Sequence, residues 1–144
     1  MSKSKITASI IFALVLTNII SWKQNADLFA KLKDVDPDFV QEGVASWYGP
    51  GFHGHRTASG ERFNTYEMTA AHKTLPFQSL VKITNLKNDK SVIVLINDRL
   101  HHKNKRLIDL SRTAAQKLSF ISRGITRVKV EVLGKLKKKK RVPA

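Results

Sequence analysis

Hydrophobic and polar positions divide this chain into an apolar run, a polar stretch and a series of short β patterns. Lys3 and Lys5 precede a mainly apolar run from Ile6 to Trp22, broken only by Thr7, Ser9, Thr17, Asn18 and Ser21. A basic start followed by an apolar run is the pattern of an export signal. The run also reaches the lower length limit for a helix crossing about 30 Å of hydrocarbon. Ile20-Ser21-Trp22 is a poor small-x-small cleavage site, so residues 1–22 are expected to form either a cleaved signal or an apolar anchor helix. Residues 23–42 are polar and read as a linker, with one short helix around Asp27–Lys33. From Gly43 to about Leu133 the pattern becomes that of a β domain. Val81 and Ile83 alternate with Lys82 and Thr84, predicting a strand with one wet face. Lys87-Asn88-Asp89 supplies a turn, and residues 91–97 (SVIVLIN) form an apolar run expected to be a strand buried on both faces; together they predict a hairpin. Val128, Val130 and Val132 alternate with Arg127, Lys129 and Glu131, giving another strand. Ser111 is positioned to cap a short helix from Arg112 to Leu118, with Gly124 beyond its end. Strands that follow one another without regular intervening helices predict a small barrel in place of a βαβ sheet.

Composition narrows the partners. The 144 residues allow one domain plus tails, and 42% of them are hydrophobic, enough for a modest core. The formal net charge is +15, and residues 135–141 read KLKKKKR; without those six cations the rest still carries +9. A negatively charged partner is implied, whether nucleic acid, anionic lipid or an anionic wall polymer. Residues 134–144 have almost nothing to bury and are expected to be a disordered basic tail. With no cysteine, the chain has no disulfide, thiolate metal site, cysteine nucleophile or acylated cysteine.

Two segments carry candidate chemistry. Residues 43–64 (GVASWYGPGFHGHRTASGERFN) set one acid, Glu61, behind a tight Ser59-Gly60 turn and among Trp47, Tyr48, Phe52 and Phe63. Glycosidic cleavage needs a carboxylic acid that holds its proton until the leaving oxygen takes it, and water-excluding aromatic neighbours raise a carboxyl pKa for that purpose. Exposed aromatics such as Trp47 and Tyr48 also suit the faces of sugars; the competing reading is core packing. In residues 96–111 (INDRLHHKNKRLIDLS), Asp98 and Arg99 stand at the mouth of the apolar strand. Asp109, close before Ser111, reads as orienting the start of the short helix, and His72 in TAAHKTLP reads by itself as a satisfied core residue. His53, His55, His101 and His102 form two close sets, but without the ordered spacing of a zinc site. Neither GxSxG nor GxxxxGK[ST] occurs. No metal or cofactor is expected.

Taken together, the motifs GVASWYG (43–49), FHG (52–54), TASGERF (57–63), TAAHKTLPF (69–77), VKITNL (81–86), INDR (96–99) and IDLS (108–111) resemble, in order, the rare lipoprotein A family, RlpA. The resemblance runs over residues 43–133 and implies a six-stranded double-psi β-barrel with one or two short helices, related in fold to expansins and barwin. It further implies a lytic transglycosylase of the cell envelope, cutting peptidoglycan glycan strands that lack stem peptides. It carries the important acids onto Glu61 and Asp98, with His72 nearby. Trp47, Tyr48, Phe52 and Arg99 are then the expected glycan contacts. Leu100-His101-His102 follows Arg99 where the family has Gly and a Pro-containing loop. An apolar N-terminus would attach such a protein to the inner membrane, and the lysine tail would meet anionic envelope surfaces. A catalytically silent, expansin-like glycan-binding barrel is the alternative. A nucleic-acid-binding protein suits the tail but not the export-type start.

Overall fold

A computed structural model of the chain describes residues 36 and 38–136. The expected anchor, most of the linker, its short helix and the tail from residue 137 lie outside the described residues. The described chain closes into a six-stranded barrel of strands β1 (Val40–Trp47), β2 (Thr69–His72), β3 (Ser79–Asn85), β4 (Ser91–Arg99), β5 (Ile108–Leu110) and β6 (Ile125–Lys135), with one short helix, α1 (Arg112–Lys117). Strand order around the barrel is β1-β5-β2-β4-β3-β6. The β1–β5 and β2–β4 pairs are parallel; the other four are antiparallel. β1 begins three residues before the expected domain start and β6 ends two residues after its expected close, because Val40 pairs with Glu131 and Ser79 with Lys135.

The local predictions are found where the residues themselves enforce them. β3 and β4 form the hairpin, closed by Asn85 N–H on Lys90 O at 2.8 Å and by Asp89 at φ +60°. In β6, Thr126, Val128, Val130 and Val132 point inward and are buried, as alternation demands. The Ser111 side chain accepts from Ala114 N–H at 3.3 Å and caps α1, whose Ala114 and Ala115 close the core with Leu118 and Phe120.

Two expectations are corrected. The first half of β4 is not buried on both faces: Ile93 is 53% exposed. Within β4 only Leu95–Arg99 pairs with β2, and nearer the hairpin turn the side chains alternate, Val94 buried inward and Ile93 outward to solvent. Asp109 does not orient the helix. It lies in β5, accepts a hydrogen bond from Ser46 Oγ in the neighbouring β1, and pairs with the Arg106 guanidinium at 3.1 Å. Gly43 has a packing reason: a Cβ there would meet Leu107 Cβ at 2.8 Å.

Candidate active site

The TASGERF segment is shaped before it reaches the barrel. Gly54 N–H bonds Phe63 O at 2.8 Å and Phe63 N–H bonds His55 O at 2.7 Å, so residues 54–63 form a small ribbon. Its tip is a turn closed by Gly60 N–H on Thr57 O (2.9 Å), and Gly60 takes φ +89°, a backbone setting that a side chain would oppose. Thr57 N–H and Oγ1 both bind Glu61 O, at 2.7 and 3.0 Å, which fixes where Glu61 leaves the turn.

The end of β4 receives this tip. Asn97 is the extra residue of a β-bulge, since Ala70 pairs with Ile96 and Ala71 already with Asp98. A bulge re-aims the residues that follow it. Asp98 Oδ1 accepts from Ala58 N–H and from Arg99 N–H, both at 2.8 Å, and Oδ2 accepts from the Tyr48 hydroxyl at 2.6 Å. Ser59 N–H reaches Asn97 O at 3.3 Å. The exposed Glu61 carboxylate accepts from Gln78 Nε2 (Oε1, 3.2 Å) and from Asn97 Nδ2 (Oε2, 3.4 Å). Glu61 and Asp98 are therefore joined through the Asn97–Asp98 step of one strand. Two acids separated by 37 positions in sequence share one end of the barrel.

Sequence reasoning missed Gln78 and Asn97. Gln78 holds φ +71°, its N–H on Ile96 O and its O receiving Leu136 N–H, both at 2.8 Å. A non-glycine residue in that region is held there by its surroundings at a cost of order 1–3 kcal/mol. The only local signal was a polar residue just before an apolar strand.

Three of the aromatic residues form one cluster. Tyr48 packs on Phe63 at 4.4 Å and on Phe52 at 5.5 Å between ring centroids, so the cluster backs Asp98. Burial, and then the bond to Asp98, raise the Tyr48 hydroxyl far above the ordinary phenol range and keep it a donor. Trp47 is half-buried at the end of β1 and Phe52 is exposed.

His72 is 1% exposed, and none of Asp98's hydrogen bonds reaches it. Its Nδ1 accepts from Thr74 N–H (3.2 Å) and Leu75 N–H (3.1 Å), which leaves the proton on Nε2, facing Gln41 Oε1 at 3.3 Å. Burial, then Arg99 and Lys73, lower it to about 4, so it is neutral at neutral pH. Arg99 works on the same turn: its Nη1 donates to His72 O (2.9 Å) and Leu75 O (2.7 Å), and its guanidinium stacks over Phe77 at 4.3 Å. The structure thus engages both residues in holding the 72–75 turn. The two histidine sets take different neighbours. His53 packs edge-on against Tyr66, His55 against Phe52, and His101 stacks on His102. Among the described residues no three His, Asp or Glu side chains converge as a ligand set.

A closed six-stranded barrel in the order β1-β5-β2-β4-β3-β6, with two parallel pairs, is the architecture of the double-psi β-barrels. Among solved structures, the Streptomyces papain inhibitor matches 69% of this chain and 99% of its own with a TM-score of 0.55 at 18% identity. A Clavibacter michiganensis expansin variant, solved with cellohexaose, matches 74% of this chain and 52% of its own with a TM-score of 0.53 at 18% identity. These likenesses establish the fold. The family described as lytic transglycolase matches residues 40–130. The endolytic peptidoglycan transglycosylase RlpA of Rickettsia felis is 55% identical over 98 residues, 66% of this chain and 43% of the relative. The protein of the same name from Neisseria meningitidis serogroup B is 54% identical over 94 residues, 65% and 39% of the two chains. The chain belongs to the RlpA-like lytic transglycolase family. It spans about two-fifths of the length of these relatives.

Proposed function

We propose that this domain is a lytic transglycosylase of the bacterial cell envelope. It would cut the bond between N-acetylmuramic acid and N-acetylglucosamine in peptidoglycan strands lacking stem peptides. The observation that carries this reading is the pair of acids at the barrel mouth, one exposed and one buttressed. Glu61 is held by two amide donors yet open to a ligand, whereas Asp98 is fixed by three donors behind it. A glycan laid over the exposed Glu61 brings its glycosidic oxygen to the carboxyl group. Glu61 then gives its proton to the glycosidic oxygen as the bond from muramyl C1 to that oxygen breaks. The muramyl C6 hydroxyl oxygen bonds to C1, and its proton returns to the Glu61 carboxylate. No water is consumed, and a 1,6-anhydro ring results. The intramolecular attack benefits from the tethered hydroxyl's high effective concentration, and needs no second carboxylate as nucleophile, unlike a hydrolase. Asp98 supports the positive charge developing at the sugar. His72 and Arg99 serve as positioning residues through the 72–75 turn.

The apolar N-terminal run supports export or attachment to the inner membrane. The lysine-rich tail suits anionic envelope surfaces, since clustered cations near such a surface contribute about 1 kcal/mol each at low salt. The test is mass spectrometry of purified glycan strands incubated with the protein in heavy-oxygen water. The expected products are 1,6-anhydromuramyl ends without the label. Labelled reducing ends would make the enzyme a muramidase, and binding without cleavage would make it a silent barrel.

A further inference from the structure

On the other side of Tyr48 from its Asp98 bond lies a cleft of about 270 Å³, lined among others by Trp47, Tyr48, Gly49, His53, Tyr66 and Arg112. It is smaller than the roughly 300–1,000 Å³ of pockets for drug-sized ligands, which suits a single sugar ring. Tyr48 belongs to both places: its ring lines the cleft while its hydroxyl holds Asp98 at 2.6 Å. A ligand in the cleft is thus one side chain away from Asp98. The walls are aromatic, and Tyr66 is 74% exposed with His53 packed against its edge at 5.8 Å. The negative face of such a ring suits the weakly positive C–H face of a pyranose.

Arg112 adds the specificity. The backbone beside it is pinned, because Thr113 donates to Thr65 O from both Oγ1 (3.0 Å) and N–H (3.3 Å). Its guanidinium is exposed and has no hydrogen bond or ion pair among the described residues. No carboxylate lines the cleft to neutralise it. An aromatic cleft with one uncompensated arginine fits a sugar that bears an acid. In a peptidoglycan strand that sugar is the muramyl residue, whose lactyl carboxyl is a free anion only when the stem peptide is gone and is an amide otherwise. We propose that the cleft is a subsite for a peptide-free muramyl residue, with Arg112 pairing its lactyl carboxylate. The proposal rests on the glycan-cleaving reading above and supplies a physical cause for selection of peptide-free strands.

The test uses the full chain, wild type and Arg112→Ala, with peptide-free glycan strands and the same strands after conversion of their lactyl carboxyls to methylamides. Binding and cleavage are both measured. Arg112→Ala should weaken binding of the free-acid strands about two- to fivefold, the scale of an exposed ion pair, and leave the amidated strands unchanged. Arg112→Lys should retain part of the preference. Equal weakening on both strands, or none, overturns the proposal. Cleavage that persists without any carboxylate preference sinks the subsite and leaves the enzyme standing. Carboxylate-dependent binding without cleavage does the reverse.

Discussion

Acidification should destabilise this domain through one buried residue, His72. Two backbone N–H groups point at its Nδ1 within 3.2 Å, so a proton has no room there without breaking both bonds. Burial, and then the charges of Arg99 and Lys73, lower the folded ring to about 4 against the ordinary 6.5. As pH falls, the unfolded chain takes up this proton first. The stability His72 contributes is complete above pH 6.5 and is lost progressively between 6.5 and 4. At about 1.4 kcal/mol per pH unit that interval corresponds to roughly 3 kcal/mol, a large share of the stability of a small domain. His72→Asn isolates the effect, because the asparagine Oδ1 can accept from Thr74 and Leu75 without titrating. The variant should start less stable, having lost the ring and its bond to Gln41, and then fall less steeply with pH. Urea unfolding of both proteins between pH 7.5 and 4 should show their difference narrowing by about 3 kcal/mol. Parallel curves, or a nuclear magnetic resonance titration of His72 near 6.5, would refute the reasoning. The same variant should cleave glycan at neutral pH to the extent that it is folded, since His72 acts on the 72–75 turn and not on substrate.

Glu61→Gln should leave the fold intact and lower cleavage at least ~100-fold, the scale of general acid catalysis; a folded, fully active variant would remove Glu61 from the mechanism. Tyr48→Phe removes one of three donors to Asp98 and should cost about 1–2 kcal/mol in thermal or urea unfolding together with a drop in kcat; unchanged kcat would mean that Asp98 does not depend on this bond. Gln78→Gly relieves the left-handed backbone but deletes a donor to Glu61. Unfolding should show stability held or raised by up to ~1 kcal/mol while kcat falls, and parallel changes in both would assign Gln78 to the fold alone. Removing residues 137–144 should weaken binding to anionic vesicles and flatten its salt dependence, with cleavage of soluble glycan barely altered.

The sequence by itself determined the parts of this protein whose partners are local. The β3–β4 hairpin, the alternation of β6 and the Ser111 cap each depend on residues within a few positions of one another, so periodicity and turn chemistry declared them. Ordered motifs likewise marked Glu61, Asp98 and His72 and implied the barrel. β1, β2 and β5 were not legible as strands. β2 is four buried residues and β5 only three, too short to alternate, and both owe their existence to neighbours distant in the chain. Tertiary structure alone decided what the marked residues touch. The bulge at Asn97 turns Asp98 toward Tyr48 and Ala58, the clamped backbone of Gln78 brings an amide to Glu61, and two N–H groups from a turn take the lone pair of His72. A hydrogen bond depends on distance and direction in space, and in a barrel with parallel, crossed connections those bear no simple relation to separation along the chain.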